Sequence, residues 1–249
     1  MTLKVFPKNI KVVFDKNKEN LLAFSGKAIS DFINKEKDKQ VLFLTSGGSA
    51  FQILDYIDDS ILKTNLTVAV LDERYSNDPK INNFKQLKQT KFYKKARAKK
   101  VNFISTEILK GKTLEKSGQQ FNQNLKNWKS KNPHGKIVAT LGIGEDGHTS
   151  GIMPFPENPK LFKKLFEDKN RWVIGYDAGE KTKYSKRITT TISFIQSTVN
   201  TSIFFAVGEN KAEILANLFR GDFTLEKTPF MLIHRLKNVT LFTDINLSN

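Results

Sequence analysis

The chain has 249 residues, of which 39% are hydrophobic, which is enough for one large α/β domain or two small ones. It contains no cysteine, which excludes disulfides, thiolate metal sites and a cysteine nucleophile. No apolar run approaches the ~20 residues that span a bilayer. The N-terminal residues 1–10 lack the features of a signal peptide, so we expect a cytoplasmic protein.

The formal net charge is +16. Such a charge is compatible with a nucleic-acid partner, with an anionic metabolite such as a sugar phosphate, or with basic solvated faces that bind nothing. The basic residues are spread along the whole chain, and the densest cluster, 85–100, contains no RNA-binding motif. We therefore do not expect specific nucleic-acid binding.

Strands and helices are predicted to alternate along the whole chain. Continuous apolar runs, such as 41–45, are typical of buried parallel strands, and the apolar spacing of 18–34 is typical of an amphipathic helix. The predicted strands are 10–14, 41–45, 66–73, 101–104, 137–141, 171–177, 187–193, 201–208 and 238–244. The predicted helices are 18–34, 51–57, segments between 81 and 98, 113–131, 158–168, one that begins at Gly208 and a short turn from Pro229.

No linker, low-complexity segment or internal repeat interrupts this alternation. Single buried strands joined by amphipathic helices predict a doubly wound, mostly parallel sheet with helices on both faces. We expect one α/β domain, residues 1–249. In such a sheet, ligands bind beyond the carboxyl ends of the strands. Four strands end there in polar or glycine-rich sequence, at 45–49, 72–74, 142–148 and 208–211.

The first of these turns contains Ser46, Gly47, Gly48 and Ser49. The glycines let the backbone approach a ligand closely, the amides at a helix N-terminus suit an anion, and the serines add hydroxyl donors. The sequence fits neither of the common nucleotide-loop motifs. An ordinary strand–helix turn with a serine cap explains it equally well.

Three charged residues, Asp72, Glu73 and Arg74, stand where an apolar strand ends. Arg74 can bind a phosphate or carboxylate through two hydrogen bonds, and Asp72 or Glu73 could act as a base or orient another group. On its own, this triplet is explained as well by a surface ion pair. Lys211 could reach the same anion and Arg187 could close over it, although a solvated lysine is the simpler interpretation.

Asp146 and His148 lie two residues apart in the glycine-rich segment 142–148. An acid can hold an imidazole in one tautomer and leave its other nitrogen free as a general base. His148 has no further ligands at metal-binding spacing, and the segment lacks the spacing of a calcium loop, so we expect no metal. Without a Gly-x-Ser-x-Gly elbow, a His-activated water or proton abstraction from carbon remains. His134 and His234 are expected to be structural or solvated.

Taken in order, these residues resemble one family. The matching segments are 46–49, 72–74, Asn83, 142–154, 187–189 and 208–213. They are similar to segments of the 6-phosphogluconolactonases, which belong to the superfamily of glucosamine-6-phosphate deaminases, over roughly residues 10–245. The run from Asp146 to Thr149 is the most specific piece.

The resemblance implies a cofactor-independent hydrolysis of 6-phosphogluconolactone in the oxidative pentose phosphate pathway, by a monomer or a homodimer. His148 would activate water and then protonate the ring oxygen, and Asp146 would orient His148 or the substrate. Binding through a remote phosphate would position the small ester for attack. The implied substrate-binding residues are Ser46, Gly47, Gly48, Ser49, Asp72, Arg74, Arg187 and Lys211.

The sister deaminases carry a glutamate a few residues after the histidine, whereas here the segment after His148 contains no acid up to Pro154. This favours the lactonase branch. Departures from the lactonase pattern include Ala50 and Phe51 in place of Thr-Pro, and the run 180–186 in place of a proline-rich segment. They leave a related phosphosugar possible as substrate. A deaminase or isomerase of amino sugar phosphates, and a non-catalytic sugar-phosphate sensor, remain alternatives.

Overall fold

Ten strands form two sheets in the computed structural model, which describes residues 8–219 and 224–247. The strands are β1 (Ile10–Phe14), β2 (Val41–Thr45), β3 (Leu66–Val70), β4 (Asp72–Arg74), β5 (Asn102–Phe103), β6 (Lys136–Gly142), β7 (Val173–Asp177), β8 (Lys186–Thr190), β9 (Thr201–Ala206) and β10 (Val239–Thr243). Residues 1–7, which belong to the segment that shows no signal-peptide features, lie outside the described part.

The central sheet has seven strands in the order β1-β10-β9-β6-β2-β3-β5, and every neighbouring pair is parallel. The prediction of a mostly parallel sheet is confirmed. A second sheet, β4-β8-β7, is antiparallel and was not predicted. The order of the central sheet reverses between β2 and β6, which is where a doubly wound sheet opens a crevice for a ligand.

Seven α-helices and six 3-10 segments connect the described strands. The α-helices are α1 (Lys18–Lys35), α2 (Asn83–Gln89), α3 (Lys91–Ala98), α4 (Leu114–Lys131), α5 (Pro159–Phe166), α6 (Ile192–Thr198) and α7 (Ala212–Ala216). The 3-10 segments are Gly48–Tyr56, Asp59–Ile61, Gly179–Lys181, Glu209–Lys211, Asn217–Phe219 and Pro229–Arg235. Among the residues that the structure describes, no helix is both long and apolar enough to cross a membrane.

Side-chain caps determine where the long helices begin. The side chains of Asn17 and Thr113 accept hydrogen bonds from backbone amides in the first turns of α1 and α4. Asn158 does the same for α5, whose first residue is Pro159. These caps satisfy amide groups that have no partner within the helix, which is why the predicted helices begin within a residue or two of their observed starts.

Helices cover both faces of the central sheet. Successive residues of β2 alternate between two hydrophobic cores, because strand side chains point to opposite faces. Leu42 and Leu44 belong to one core together with residues of α4, α5 and α6. Val41 and Phe43 belong to the other, together with residues of α1, α2 and α3. This alternation confirms the doubly wound arrangement, whereas the extent of a single domain over 1–249 stays a prediction.

The two largest errors in the extent of the predicted strands concern the small sheet, while other predicted strands, such as 171–177 and 201–208, differ from the observed ones by one or two residues at an end. The predicted strand 66–73 is broken at Leu71, whose amide still donates to Thr45 O (2.8 Å) in the central sheet and whose carbonyl accepts from Thr190 N (3.3 Å). The chain therefore changes sheets at this residue. The predicted strand 187–193 ends at Thr190, and the side chain of Thr191 caps α6. Apolar periodicity continues across both breaks and cannot reveal them.

Phe43, in β2, tests the importance of the central strand for stability. Its side chain is 0% exposed and meets Phe92 edge to face at a centroid distance of 6.5 Å. We expect Phe43→Ala to lower the free energy of unfolding by about 3–5 kcal/mol, because it removes buried contacts and leaves a cavity. Urea denaturation would measure the loss. Phe14→Ala is the control, since Phe14 lies in an edge strand and is 44% exposed, and a similar loss in both variants would contradict the assignment.

Candidate functional site

The glycine turn after β2, residues 46–49, lies beside the loop that follows β6. The backbone amide of Ser46 is not free to bind a ligand, because it donates to Thr140 Oγ1 (2.9 Å). The hydroxyl Oγ of Ser46 donates to Thr140 O (2.5 Å). The hydroxyl proton of Ser46 is thus already engaged, which differs from the expected free donor. Gly48 has φ +66°, a left-handed conformation that favours glycine. Gly48 and Ser49 are exposed at the crevice, where backbone and hydroxyl donors can meet a ligand.

The segment 142–148 turns back on itself at the end of β6. Gly144 N donates to His148 O (2.8 Å), and Gly147, with φ +80°, donates through its amide to Gly144 O (3.1 Å). The turn brings His148 Nδ1 to 2.5 Å from Asp146 Oδ1, and the His148 amide donates to the same oxygen at 3.1 Å. The acid and the imidazole therefore form the predicted pair.

The hydrogen bond to Asp146 determines which nitrogen of His148 is available. A neutral imidazole that donates from Nδ1 has its lone pair on Nε2. Partial burial acts to raise the pKa of Asp146, but its hydrogen bond and charge interaction with His148 outweigh burial and lower that pKa. The side chains of His148 and Asp146 are 36% and 45% exposed. Water can therefore reach the imidazole.

Two arginines pair across the small sheet. In the antiparallel register of β4 and β8, Arg74 is directly opposite Arg187, and Asp72 is opposite Thr189. Arg187 is 6% exposed, donates to Tyr184 O (2.8 Å) and Thr182 Oγ1 (3.0 Å), and has Nη1 3.8 Å from Asp72 Oδ2. Burial lowers the pKa of Arg187, Asp72 opposes that effect, and Arg74 adds to it.

Arg74 has donor capacity to spare. Its Nη1 donates weakly to Ile81 O at 3.4 Å, and its buried Nε has no hydrogen-bond partner among the described residues. An unpaired buried donor is costly, and like charges directly opposite each other in a sheet are destabilising. An anion bound between Arg74 and Arg187 would relieve the second of these costs. Glu73, considered as a possible base, points to the other face of β4 and does not line the crevice.

Lys211 reaches the crevice from the turn after β9. Gly208, with φ +112°, donates its amide to both carboxylate oxygens of Asp244 (2.9 and 3.1 Å), which fixes the start of the turn. The side chain of Asn210 donates to Glu145 Oε1, so that this turn is attached to the loop of His148. The short 3-10 segment before α7 then directs Lys211 toward the crevice.

These loops enclose one cleft of about 350 Å³ at the carboxyl ends of the strands. Nine of the predicted residues line it: Ser46, Gly47, Gly48, Ser49, Asp72, Arg74, His148, Arg187 and Lys211. The tenth, Asp146, does not line the cleft and instead supports His148 from behind. Among the lining residues that the structure describes, three are cationic and Asp72 is the one carboxylate.

The cleft also has walls that sequence reasoning did not assign. They are formed by Asn83, Gly142, Ile143, Ser150, Gly151, Thr182, Tyr184, Phe205 and Val207. Ile143 and Val207 directly follow β6 and β9. In the sequence both stand at or just beyond the carboxyl ends of the predicted strands 137–141 and 201–208, which was a usable signal. Thr182 and Tyr184 lie in the basic stretch before β8, where no motif marks them. Within the described ranges, 8–219 and 224–247, no three His, Cys, Asp or Glu residues cluster in a way that could hold a metal ion.

A family model described as glucosamine-6-phosphate isomerases/6-phosphogluconolactonase matches residues 16–242 of this chain. The chain belongs to this family. A curated member, "Probable 6-phosphogluconolactonase" of Dictyostelium discoideum, is 24% identical over 238 residues, which are 94% of this chain and 95% of that protein. The match therefore extends over nearly the whole length of both proteins.

Solved structures of the family have the same fold. The 6-phosphogluconolactonase of Plasmodium vivax superposes with a TM-score of 0.75 at 18% identity, over 98% of this chain and 94% of that one. The enzyme of that name from Shewanella baltica gives 0.74 at 18% identity, over 97% and 99% of the chains. A monomeric glucosamine-6-phosphate deaminase gives 0.69 at 20% identity, over 94% and 96%. The fold is thus shared by both branches of the family.

Gly144 tests the geometry of the histidine pair. A Cβ atom at this position would lie 2.0 Å from His148 Nδ1 and 2.5 Å from Asp146 Oδ1. We expect Gly144→Ala to displace the imidazole, so that nitrogen NMR detects a mixture of tautomers in place of the single Nδ1-protonated form of the wild type. Gly142→Ala is the control, because a Cβ there meets nothing within 4 Å. Identical tautomers in all three proteins would contradict the geometry.

Proposed function

We propose that this protein hydrolyses 6-phosphogluconolactone to 6-phosphogluconate with His148 as the general base. The observation that carries the proposal is the composition of one cleft, in which Arg74, Arg187 and Lys211 line the same space as His148. Such a cleft combines an anion site with a site of proton transfer. The family of the chain and the names of its relatives agree with a phosphorylated sugar lactone as the substrate.

The chemistry needs only the lactone and water. His148 Nε2 takes a proton from water as its oxygen attacks the lactone carbonyl, and Asp146 stabilises the imidazolium that forms. When the tetrahedral intermediate collapses, the bond from the carbonyl carbon to the ring oxygen breaks and the imidazolium returns the proton to that oxygen. The imidazole is regenerated, and the product is the open hydroxy acid, so no cofactor takes part.

The three cations supply the binding energy. A phosphate dianion between the guanidinium groups of Arg74 and Arg187 would convert their repulsion into attraction, and Lys211 would approach it from the opposite loop. The reacting carbonyl lies away from the phosphate, so these contacts position the lactone without taking part in bond making. Asp72 and the glycine turn 46–49 are then available to sugar hydroxyls. We propose that the protein acts in the cytoplasm, as a monomer or a homodimer.

The deaminase branch provides the second candidate function. It is favoured by the likeness to the monomeric glucosamine-6-phosphate deaminase. The segment after His148 argues against it, because no acidic residue occurs between His148 and Pro154. Within this segment, Ser150 and Gly151 have positive φ values of 55° and 69°. Ammonia release from glucosamine 6-phosphate would support the deaminase. Binding of phosphosugars with no turnover of either substrate would support a sensor.

His148 is the residue whose replacement tests the mechanism. We expect His148→Ala to lower kcat for the lactone by about a hundred- to ten-thousandfold, the range that general acid–base catalysis contributes. The affinity for 6-phosphogluconate, measured by calorimetry, should change little, because the cations remain. His134→Ala is the control, since His134 is exposed in the turn before β6. Undiminished turnover in His148→Ala would overturn the mechanism.

Lys211 tests the proposed phosphate site. We expect Lys211→Ala to lower kcat/KM for the lactone by about tenfold or more, because a hydrogen bond between charged groups is lost from the bound state. The affinity for inorganic phosphate should fall in parallel. Lys186→Ala is the matched control, because Lys186 is an exposed lysine beside Arg187 that does not line the cleft. Equal effects of the two substitutions would indicate that only the overall charge matters.

A further inference from the structure

The carboxylate of Glu73 is the most completely buried charged group beside the cleft, with 0% of the residue exposed. Along β4, side chains alternate between two faces. Asp72 and Arg74 line the cleft, whereas Glu73 lies opposite Ile188 in the register and points to the other face. The proposed lactone hydrolysis gives Glu73 no part.

Four donors converge on this carboxylate. Oε1 accepts from the amides of Arg74 (2.7 Å) and Asn83 (2.5 Å). Oε2 accepts from the amide of Phe84 (2.9 Å) and from Thr106 Oγ1 (2.8 Å). Asn83 and Phe84 are the first two residues of α2, so Glu73 satisfies amides that have no partner within the helix. Burial raises the pKa of Glu73 to about 7, and the four donors act in the opposite direction.

Asn83 connects this arrangement to the cleft. Its Nδ2 donates to Asp72 O (2.9 Å), and its Oδ1 is buried without a hydrogen-bond partner among the described residues. The same carboxamide packs against Gly47, where an added Cβ would lie 2.3 Å from Oδ1. Asn83 is therefore wedged between β4 on one side and the glycine turn 46–49 on the other.

We propose that Glu73 is a positioning residue, which fixes the start of α2 so that Asn83 holds the glycine turn and β4 at a set distance across the cleft. The glycine turn follows β2, and both it and β4 line the cleft that holds the proposed phosphate site. Glu73 also binds the Arg74 amide, which fixes the backbone from which that guanidinium extends. The histidine pair belongs to a separate loop, so loss of Glu73 should weaken binding and spare the chemical step.

The test is the isosteric substitution Glu73→Gln, assayed at about pH 8, above the pKa of about 7 to which burial raises the Glu73 carboxyl. A carboxamide cannot accept from all four donors, because its amino group meets at least one backbone amide. We expect KM for the lactone and Kd for inorganic phosphate to rise by about tenfold together, with kcat within about threefold of the wild type. Circular dichroism would verify that the variant is folded.

The matched control is Glu107→Gln. Glu107 follows Thr106 in the chain, and its carboxylate forms a surface ion pair with Lys88 at 3.2 Å and does not line the cleft. The same chemical change there should leave KM and the phosphate Kd within about twofold, because exposed ion pairs contribute little. A purely structural role for Glu73 would lower only stability, so a folded Glu73→Gln protein with wild-type KM and phosphate Kd would overturn the proposal.

A second pair of variants covers the case in which Glu73→Gln does not fold. Thr106→Val removes one of the four donors at nearly constant shape, and Thr106→Ser keeps the hydroxyl. Thr106→Val should raise KM and the phosphate Kd by about threefold, and Thr106→Ser should restore wild-type values. Equal values in the two variants would overturn the proposal.

The kinetic part of this test rests on the proposed function, whereas the phosphate Kd does not. A wild type that binds phosphate without hydrolysing the lactone would reject the proposed function and leave the role of Glu73 to be judged from Kd alone. A double-mutant cycle with Asn83→Ala adds an independent measure. If Glu73 acts through Asn83, the effects of the two substitutions on the phosphate Kd should be far from additive.

Discussion

The antiparallel pairing of β4 with β8 is the constraint on which the cleft depends. It places Arg74 and Arg187 opposite each other, with Asp72 as the one carboxylate among the described lining residues. Two like charges at directly opposite positions repel and destabilise the sheet, and an anion bound between them would offset that repulsion. Since the pairing begins where the chain leaves the central sheet at Leu71, the same backbone step that ends β3 brings Arg74 and Arg187 together at the proposed phosphate site.

The two halves of the cleft are built in different ways. In the cationic half, Arg187 is buried and held by Tyr184, Thr182 and Asp72, and Arg74 and Lys211 are partly buried. The histidine half is a glycine turn open to solvent, in which Gly144 leaves just enough room for the imidazole and the carboxylate to meet. A buried half can bind an anion strongly because little water competes, and an open half admits the water that hydrolysis consumes.

The large positive charge of the chain is only in part a property of the cleft. In the basic cluster 85–100, Lys88 pairs with Glu107 and Lys95 with Asp59, while Phe92 and Ala96 on the other face of α3 are buried. The cluster is thus partly neutralised and amphipathic, as expected of an ordinary surface helix. That it binds no nucleic acid stays a prediction. The cleft needs only three of the 41 basic residues.

Local sequence determined the elements and the composition of their ends. Apolar periodicity predicted the strands of the central sheet and the long helices, and nine of the ten predicted site residues line one cleft because the carboxyl ends of parallel strands share one edge. The Asp146–His148 pair was also predictable, since residues two apart in a glycine turn can meet without help from the rest of the chain.

Only the tertiary structure decided how distant segments meet. The break at Leu71 and the register that opposes Arg74 and Arg187 depend on partners more than a hundred residues away. The walls from Thr182 and Tyr184 enter the cleft because β8, which follows them, pairs with β4. The tertiary structure likewise determined where Glu73 and Asn83 lie. In the sequence, Glu73 and Asp72 are adjacent acids that cannot be told apart by charge. The pairing of β4 with β8 determined that Asp72 faces the cleft and Glu73 the other side. Periodicity reports which face a residue shares with its neighbours, but the partner strand determines what that face meets.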